Sequence, residues 1–222
     1  KTAFDETVRE NREYYSKLYR TLRVGYLAWL DLTRYIQKST DLFSSEVPGV
    51  KYYGGSFSKD DLFENLYNKN LDLIVTYGAF APRISGLKKA VLMKTRNVLI
   101  VSTGNPLAAD EATYKEFLKE PLIVTSFQNE SLSETNKRVD RLIKKYGLSP
   151  PEIKIVPNLE TAYTETELGH GIMISTELSR ILSSSRIKKY PLDSTETLVC
   201  LWRQDEENPL VEKFVDCLKR SV

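Results

Sequence analysis

Apolar residues recur along this chain with two periods that take turns. Leu22-Arg23-Val24-Gly25-Tyr26 has the rhythm of a short strand, after which Leu32, Tyr35, Ile36, Leu42 and Phe43 keep helical spacing from about Asp31 to the break at Pro48-Gly49. Val50 to Tyr53 predicts a second strand and Gly54-Gly55-Ser56-Phe57-Ser58 a loop. Ser58 with Asp61 then opens a helix whose buried stripe is Leu62, Phe63, Leu66 and Tyr67. Leu71 to Thr76 is a buried strand, followed by a loop from Tyr77 to Arg83.

The second half repeats the plan. Leu122 to Thr125 predicts a strand. Ser131 and Glu134 are spaced as a capping box for a helix striped by Leu132, Val139, Leu142, Ile143 and Tyr146, which Gly147 and Pro150-Pro151 end. A strand at 153–156 leads to a helix at 159–168, capped by Asn158 and stopped by Gly169, and then to a strand at 171–175. Within that helix Leu159, Ala162, Tyr163 and Thr166 share the inward face, while Glu165 and Glu167 face water.

Two copies of β-α-β-α-β predict an α/β fold of two similar lobes, each a mainly parallel sheet flanked by helices. Val91 to Ser102 and Ile187 to Trp202 are long enough to act as two crossover hinge strands between them. Lobe I is expected at 20–97 plus 198–222 and lobe II at 98–197. A last helix, opened by Asn208-Pro209 and striped by Leu210, Val211, Phe214, Val215 and Leu218, should return to lobe I. Ahead of everything, Phe4, Val8, Asn11, Tyr15 and Leu18 are spaced 4-3-4-3, the seam of a linker helix over 1–19 that either pairs with another chain or folds back on its own.

Composition narrows the function more than the fold. The 222 residues are 41% hydrophobic, enough to bury a real core, and 32 basic against 30 acidic residues give a net charge of +2. So balanced a segment is not expected to grip nucleic acid or an anionic membrane by itself, and no apolar run reaches the length of a membrane span. Two cysteines, Cys200 and Cys217, favour a reducing compartment and read either as two small buried hydrophobes or as a redox pair. With one histidine, His170, between two glycines at a turn, no metal site is expected. The nucleophile elbow, the phosphate-binding loop, the dinucleotide fingerprint and the His-Glu-x-x-His motif are all missing from the sequence, so the chain reads as a binder and not an enzyme, with no cofactor.

Ligands of open parallel sheets sit beyond the carboxyl ends of the strands, where loop amides and helix N-termini converge. Position alone then selects Ser56, Ser58, Thr76, Thr125, Ser126 and Asn158 as hydrogen-bonding groups of a cleft between the lobes. Trp29, Phe57, Tyr77 and the neighbouring Ala79 supply its walls. Such a set suits a small polar or carboxylate-bearing molecule. The competing explanation is local: Ser58 and Asn158 are also good helix caps, and Thr76 is also plain strand.

Order and spacing together resemble the effector-binding domain of LysR-type transcriptional regulators. The resemblance rests on Leu22-Arg23-Val24-Gly25, Pro48-Gly49-Val50, Leu71 to Ile74, Asn105-Pro106-Leu107-Ala108, Glu120-Pro121-Leu122-Ile123, Leu168-Gly169-His170-Gly171-Ile172 and Leu201-Trp202-Arg203 with Pro209 and Phe214. It implies a two-lobed fold like that of type II periplasmic binding proteins and a small-molecule effector in the interlobe cleft. It also implies a homodimer or homotetramer in the cytoplasm, and DNA bound through an N-terminal winged helix-turn-helix domain that this chain does not contain. Two departures stand out: the cysteines fall in the terminal return to lobe I, and the first loop, Tyr26 to Asp31, has no Ser or Thr. A solute-binding protein of a transport system is the alternative with the same fold.

Overall fold

The computed structural model describes residues 21–81, 86–109, 111–127 and 130–222, so the expected linker helix lies outside the described residues. The chain forms two compact units. One takes the described residues up to Lys94 together with Thr197–Val222, and the other is Thr95–Glu196. Their boundaries fall inside two long strands, β4 (Leu87–Ser102) and β8 (Ile187–Arg203), each of which begins in one unit and ends in the other.

In the first unit, β1 (Thr21–Leu27) pairs in parallel with β2 (Lys51–Phe57) on one side and β3 (Leu73–Tyr77) on the other, and β8 closes antiparallel on β3. The order is therefore β2-β1-β3-β8. All five residues of β3 are buried, as a strand covered on both faces must be. Helices α1 (Thr33–Glu46), α2 (Lys59–Tyr67) and α5 (Leu210–Lys219) complete the unit. The stripe foreseen for α5 is buried throughout; Phe214 meets Phe43 of α1 edge-on at 5.3 Å and lies 5.3 Å from the Tyr52 ring. Two ionic ties close the polar seams. Asp72, 3% exposed, accepts from the Arg23 backbone N–H at 2.8 Å and from its guanidinium at 2.6 Å. Arg203, 7% exposed, donates to the carbonyls of Leu66 and Leu71 at 2.6 Å each and pairs with Glu206. A cation thus stands at the negative end of α2, where the helix dipole favours one.

One expectation fails here. Gly54 to Phe57 is strand, not loop: it continues β2 in register, with Gly54 opposite Val24, Gly55 opposite Gly25, Ser56 opposite Tyr26 and Phe57 opposite Leu27. Ladder hydrogen bonds need only backbone, so the glycines cost propensity without ending the strand.

In the second unit, β5 (Leu122–Thr125) pairs in parallel with β6 (Ile153–Val156) and touches β7 (Met173–Thr176) through a parallel bridge from Leu122 to Ile172, while β7 runs antiparallel to β4. The strand alternation sorts the core into two layers. Leu99, Val101, Leu122 and Val124 point to one, with Val139 of α3 (Leu132–Tyr146) and Phe117; Val98, Ile100 and Ile123 point to the other, with Ala162 of α4 (Leu159–Glu167). The Ser131–Glu134 capping box forms in both directions, and Gly147 ends α3 at φ 67°. Leu132 departs from its expected place: it is 73% exposed at the first helical position, and Thr135 takes the buried spot. Gly171 is forced by its surroundings: at φ +155°, an added Cβ would lie 2.5 Å from the Pro121 carbonyl oxygen.

Candidate functional site

In the first unit, register brings the carboxyl ends of β1, β2 and β3 to one edge, and the Ala28 N–H donates to the Phe57 carbonyl at 2.9 Å to hold the first two together. Beyond them sits an aromatic group. Trp29 meets Phe80 edge-on at 6.2 Å, and Tyr77 lies 5.9 Å from the same ring. Ala79 is exposed on the short turn Gly78–Phe80. Ser56 is exposed in β2. Ser58 is occupied: its Oγ accepts from the Asp61 N–H at 3.2 Å and donates to the Asp61 carboxylate at 2.7 Å, capping α2. Thr76 is wholly buried, and its hydroxyl has no hydrogen-bond partner among the described residues. An unmet buried hydroxyl costs about 1–3 kcal/mol.

The second unit presents the matching edge. Its Ser126 N–H donates to the Val156 carbonyl at 2.9 Å, as Ala28 does to Phe57, and the Ser126 hydroxyl reaches the same oxygen at 3.4 Å. Asn158 caps α4: its Oδ1 accepts from the Thr161 N–H and from the Thr161 hydroxyl, both at 2.8 Å. Among the described residues its amide nitrogen has no hydrogen-bond acceptor. Structure therefore brings Thr125, Ser126 and Asn158 together in one unit and Trp29, Tyr77 and Ala79 in the other, while Ser58 and Asn158 do the capping that their types also suggested.

Sequence reasoning missed the brace behind Ser126. Arg138 of α3 donates to the Thr125 carbonyl and grips Glu130 through Nε at 2.9 Å and Nη2 at 2.7 Å, and its guanidinium lies 4.8 Å from the Phe127 ring centroid. Glu130 also accepts from the Thr135 hydroxyl at 3.0 Å and the Phe127 N–H at 3.3 Å. The guanidinium holds the Glu130 carboxyl below the usual carboxylate range. Glu130 lies ahead of the Ser131 cap, outside the helix that carries Arg138, so no helical spacing rule points to this pair.

The cysteines are both buried free thiols. Burial pushes both thiols up, furthest at Cys200, and keeps them protonated and unreactive. His170 stands at the turn foreseen for it, its Nδ1 2.9 Å from Glu165. Glu165 also pairs with Lys154, so this carboxylate is half-buried between two partners and does not simply face water.

Comparison with known proteins bears on both units. The family model described as the LysR substrate binding domain matches residues 19–222. No curated protein matches the chain. Among solved structures, the effector-binding domain of a BenM variant is 16% identical, with 91% of this chain and 94% of that one covered at a TM-score of 0.70. Full-length CbnR in complex with its target DNA is 16% identical, with 97% and 76% covered and a TM-score of 0.70. A Corynebacterium glutamicum OxyR mutant is 12% identical, with 98% and 71% covered and a TM-score of 0.68. At such identities the likeness establishes the fold, which is the α/β class resembling type II periplasmic binding proteins that the repeated pattern and its resemblance imply.

Proposed function

The chain belongs to the LysR family, as its substrate- or effector-binding domain, and from that membership we propose that it senses a small polar or carboxylate-bearing molecule for a bacterial transcriptional regulator. The candidate effector-binding groups stand at the carboxyl strand ends within each unit. In the first unit Trp29 and Tyr77 offer aromatic surface and Ser56 a hydroxyl, and in the second Thr125, Ser126 and the Asn158 amide offer polar groups. BenM's effector-binding domain has been solved with its effector benzoate, a molecule of this chemistry. DNA is contacted through a winged helix-turn-helix domain joined ahead of this one, in a cytoplasmic homodimer or homotetramer. No observation favours the solute-transport alternative over this reading.

The observation that carries the proposal is the Thr76 hydroxyl at the carboxyl end of β3, wholly buried and without a hydrogen-bond partner among the described residues. A fold tolerates such a group at a functional site because a ligand repays it. The effector acts by binding one conformation better than another: to shift a population from 1:99 to 99:1 it needs about 5.5 kcal/mol of differential affinity. Several hydrogen bonds at about 1 kcal/mol each, with buried aromatic area, supply part of it.

Native mass spectrometry of the purified chain identifies any retained ligand and the oligomeric state, and calorimetry with that ligand then tests the site. Thr76→Val should raise the melting temperature by removing the unmet hydroxyl while weakening the effector about tenfold. Asn158→Ser keeps the cap acceptor and removes the amide protons, and should weaken binding with little change in stability. Full affinity in both variants and in Ser126→Ala would refute the proposed site.

A further inference from the structure

The second unit carries a hollow at the amino ends of β5 and β7 and the carboxyl end of α4, opposite to the edge that holds Ser126 and Asn158. It has a volume of about 510 Å³ and is lined by Ser102, Asn105, Leu107, Glu120, Leu168 and Gly169, among others. That is the size of an ordinary small-molecule site. Three features of its wall agree on what would fill it.

The first is a carboxylate without a cation. Glu120 is half-buried, its one partner is the Asn105 side-chain N–H at 3.2 Å, and among the described residues no Lys, Arg or His pairs with it. The second is the end of a helix. α4 points its carboxyl terminus here and has no basic residue in its last turn, so the negative end of its dipole is uncompensated by its own side chains. The third is apolar. Leu107 is 41% exposed and Leu168 56% exposed, two large hydrophobic side chains left open on the wall of the same hollow.

The wall is also held in place. Asn105 Oδ1 accepts from the Leu107 N–H at 2.8 Å, which fixes the amide so that its nitrogen faces Glu120. Ser102 Oγ donates to the Glu167 carbonyl at 3.0 Å and accepts from the Gly104 N–H at 3.2 Å, tying the end of β4 to the end of α4. The site is therefore built before a ligand arrives, which lowers the ordering cost of binding.

We propose that this hollow is a second ligand site that takes a small organic cation, an ammonium or guanidinium group on an apolar body, with the charge against Glu120 and the body against Leu107 and Leu168. It is independent of the effector reading above. Benzylamine, a cation at neutral pH, and benzyl alcohol, its neutral counterpart, are the probes. Titrated into the full chain and followed by amide NMR, benzylamine should give saturable shifts centred on Gly104, Leu107, Leu168 and Gly169, and should bind at least tenfold more tightly than benzyl alcohol. Glu120→Gln keeps an oxygen for Asn105 and removes the charge, so it should abolish that preference while leaving the melting temperature unchanged. Leu168→Ala should weaken both probes and serves if Glu120→Gln fails to fold. Ser126→Ala should leave benzylamine binding intact. Equal affinity for the two probes, shifts centred elsewhere, or an undiminished preference in Glu120→Gln would overturn the proposal, and loss of benzylamine binding in Ser126→Ala would assign the amine to the other site.

Discussion

Gly171 shows how tightly single positions are set. Its φ of +155° and the 2.5 Å between an added Cβ and the Pro121 carbonyl oxygen mean that a side chain must push two backbone segments apart. Gly171→Ala should cost about 3 kcal/mol, as overpacking against fixed backbone does; urea denaturation measures it, with Gly49→Ala, where nothing lies within 4 Å, as the comparison for φ strain alone. Glu130 adds a pH dependence. Its folded-state pKa is lowered, first by the Arg138 hydrogen bond, so its contribution is present above the ordinary glutamate value of about 4.3 and is lost as the pH falls through the folded value. Glu130→Gln should cost about 2 kcal/mol at pH 7 and flatten the fall of stability below that range; melting temperatures from pH 3 to 7 decide it. Asn158→Ala should lose about 1 kcal/mol with its cap, and Asn158→Ser much less.

Elements were legible where local chemistry and long-range packing ask for the same residue. Ser131 with Glu134, Asn158 and Gly147 mark helix ends by groups that bond within a few positions, and the structure places those ends there. Legibility fails where a distant partner decides. The β2 glycines look like a loop because nothing in the sequence shows that β1 lies alongside to supply the ladder, nor that Gly25 must leave room for Leu71, Leu62 and Phe57. Thr135 is buried because Glu130 receives its hydroxyl, a pairing the apolar stripe could not reveal, and Leu132 is left outside. The candidate site followed the same division: the strand ends could be located from the repeat, but Thr76's unmet hydroxyl and the Arg138 brace depend on what lies across the fold. Packing of α5 offers a test at this scale. Phe214, wholly buried between Phe43 and Tyr52, should cost about 4 kcal/mol when cut to Ala, as read by the denaturation midpoint.

For the whole molecule, both cysteines belong to the first unit and both are buried. A thiol reagent should leave the native chain unlabelled and react with both when that unit opens, so labelling rates report its unfolding separately from that of the second unit, which has no cysteine. A labelled native protein would show that the return of α5 onto the first unit is loose.

The two units also differ in how the chain supplies them. Thr95–Glu196 is one unbroken run, whereas the other unit needs Thr197–Val222, which is made after it. During synthesis the second unit has its sequence complete at Glu196 while the first still waits for the end of β8 and for α5, with β3 bare along one side and α2 lacking the Arg203 that stops its end. Units of this kind fold as wholes once their sequence is complete. Of these two units the one begun earlier is thus completed later, and any stall before Thr197 leaves a nascent chain with one finished unit and an exposed apolar sheet edge, the state in which a chaperone would meet it.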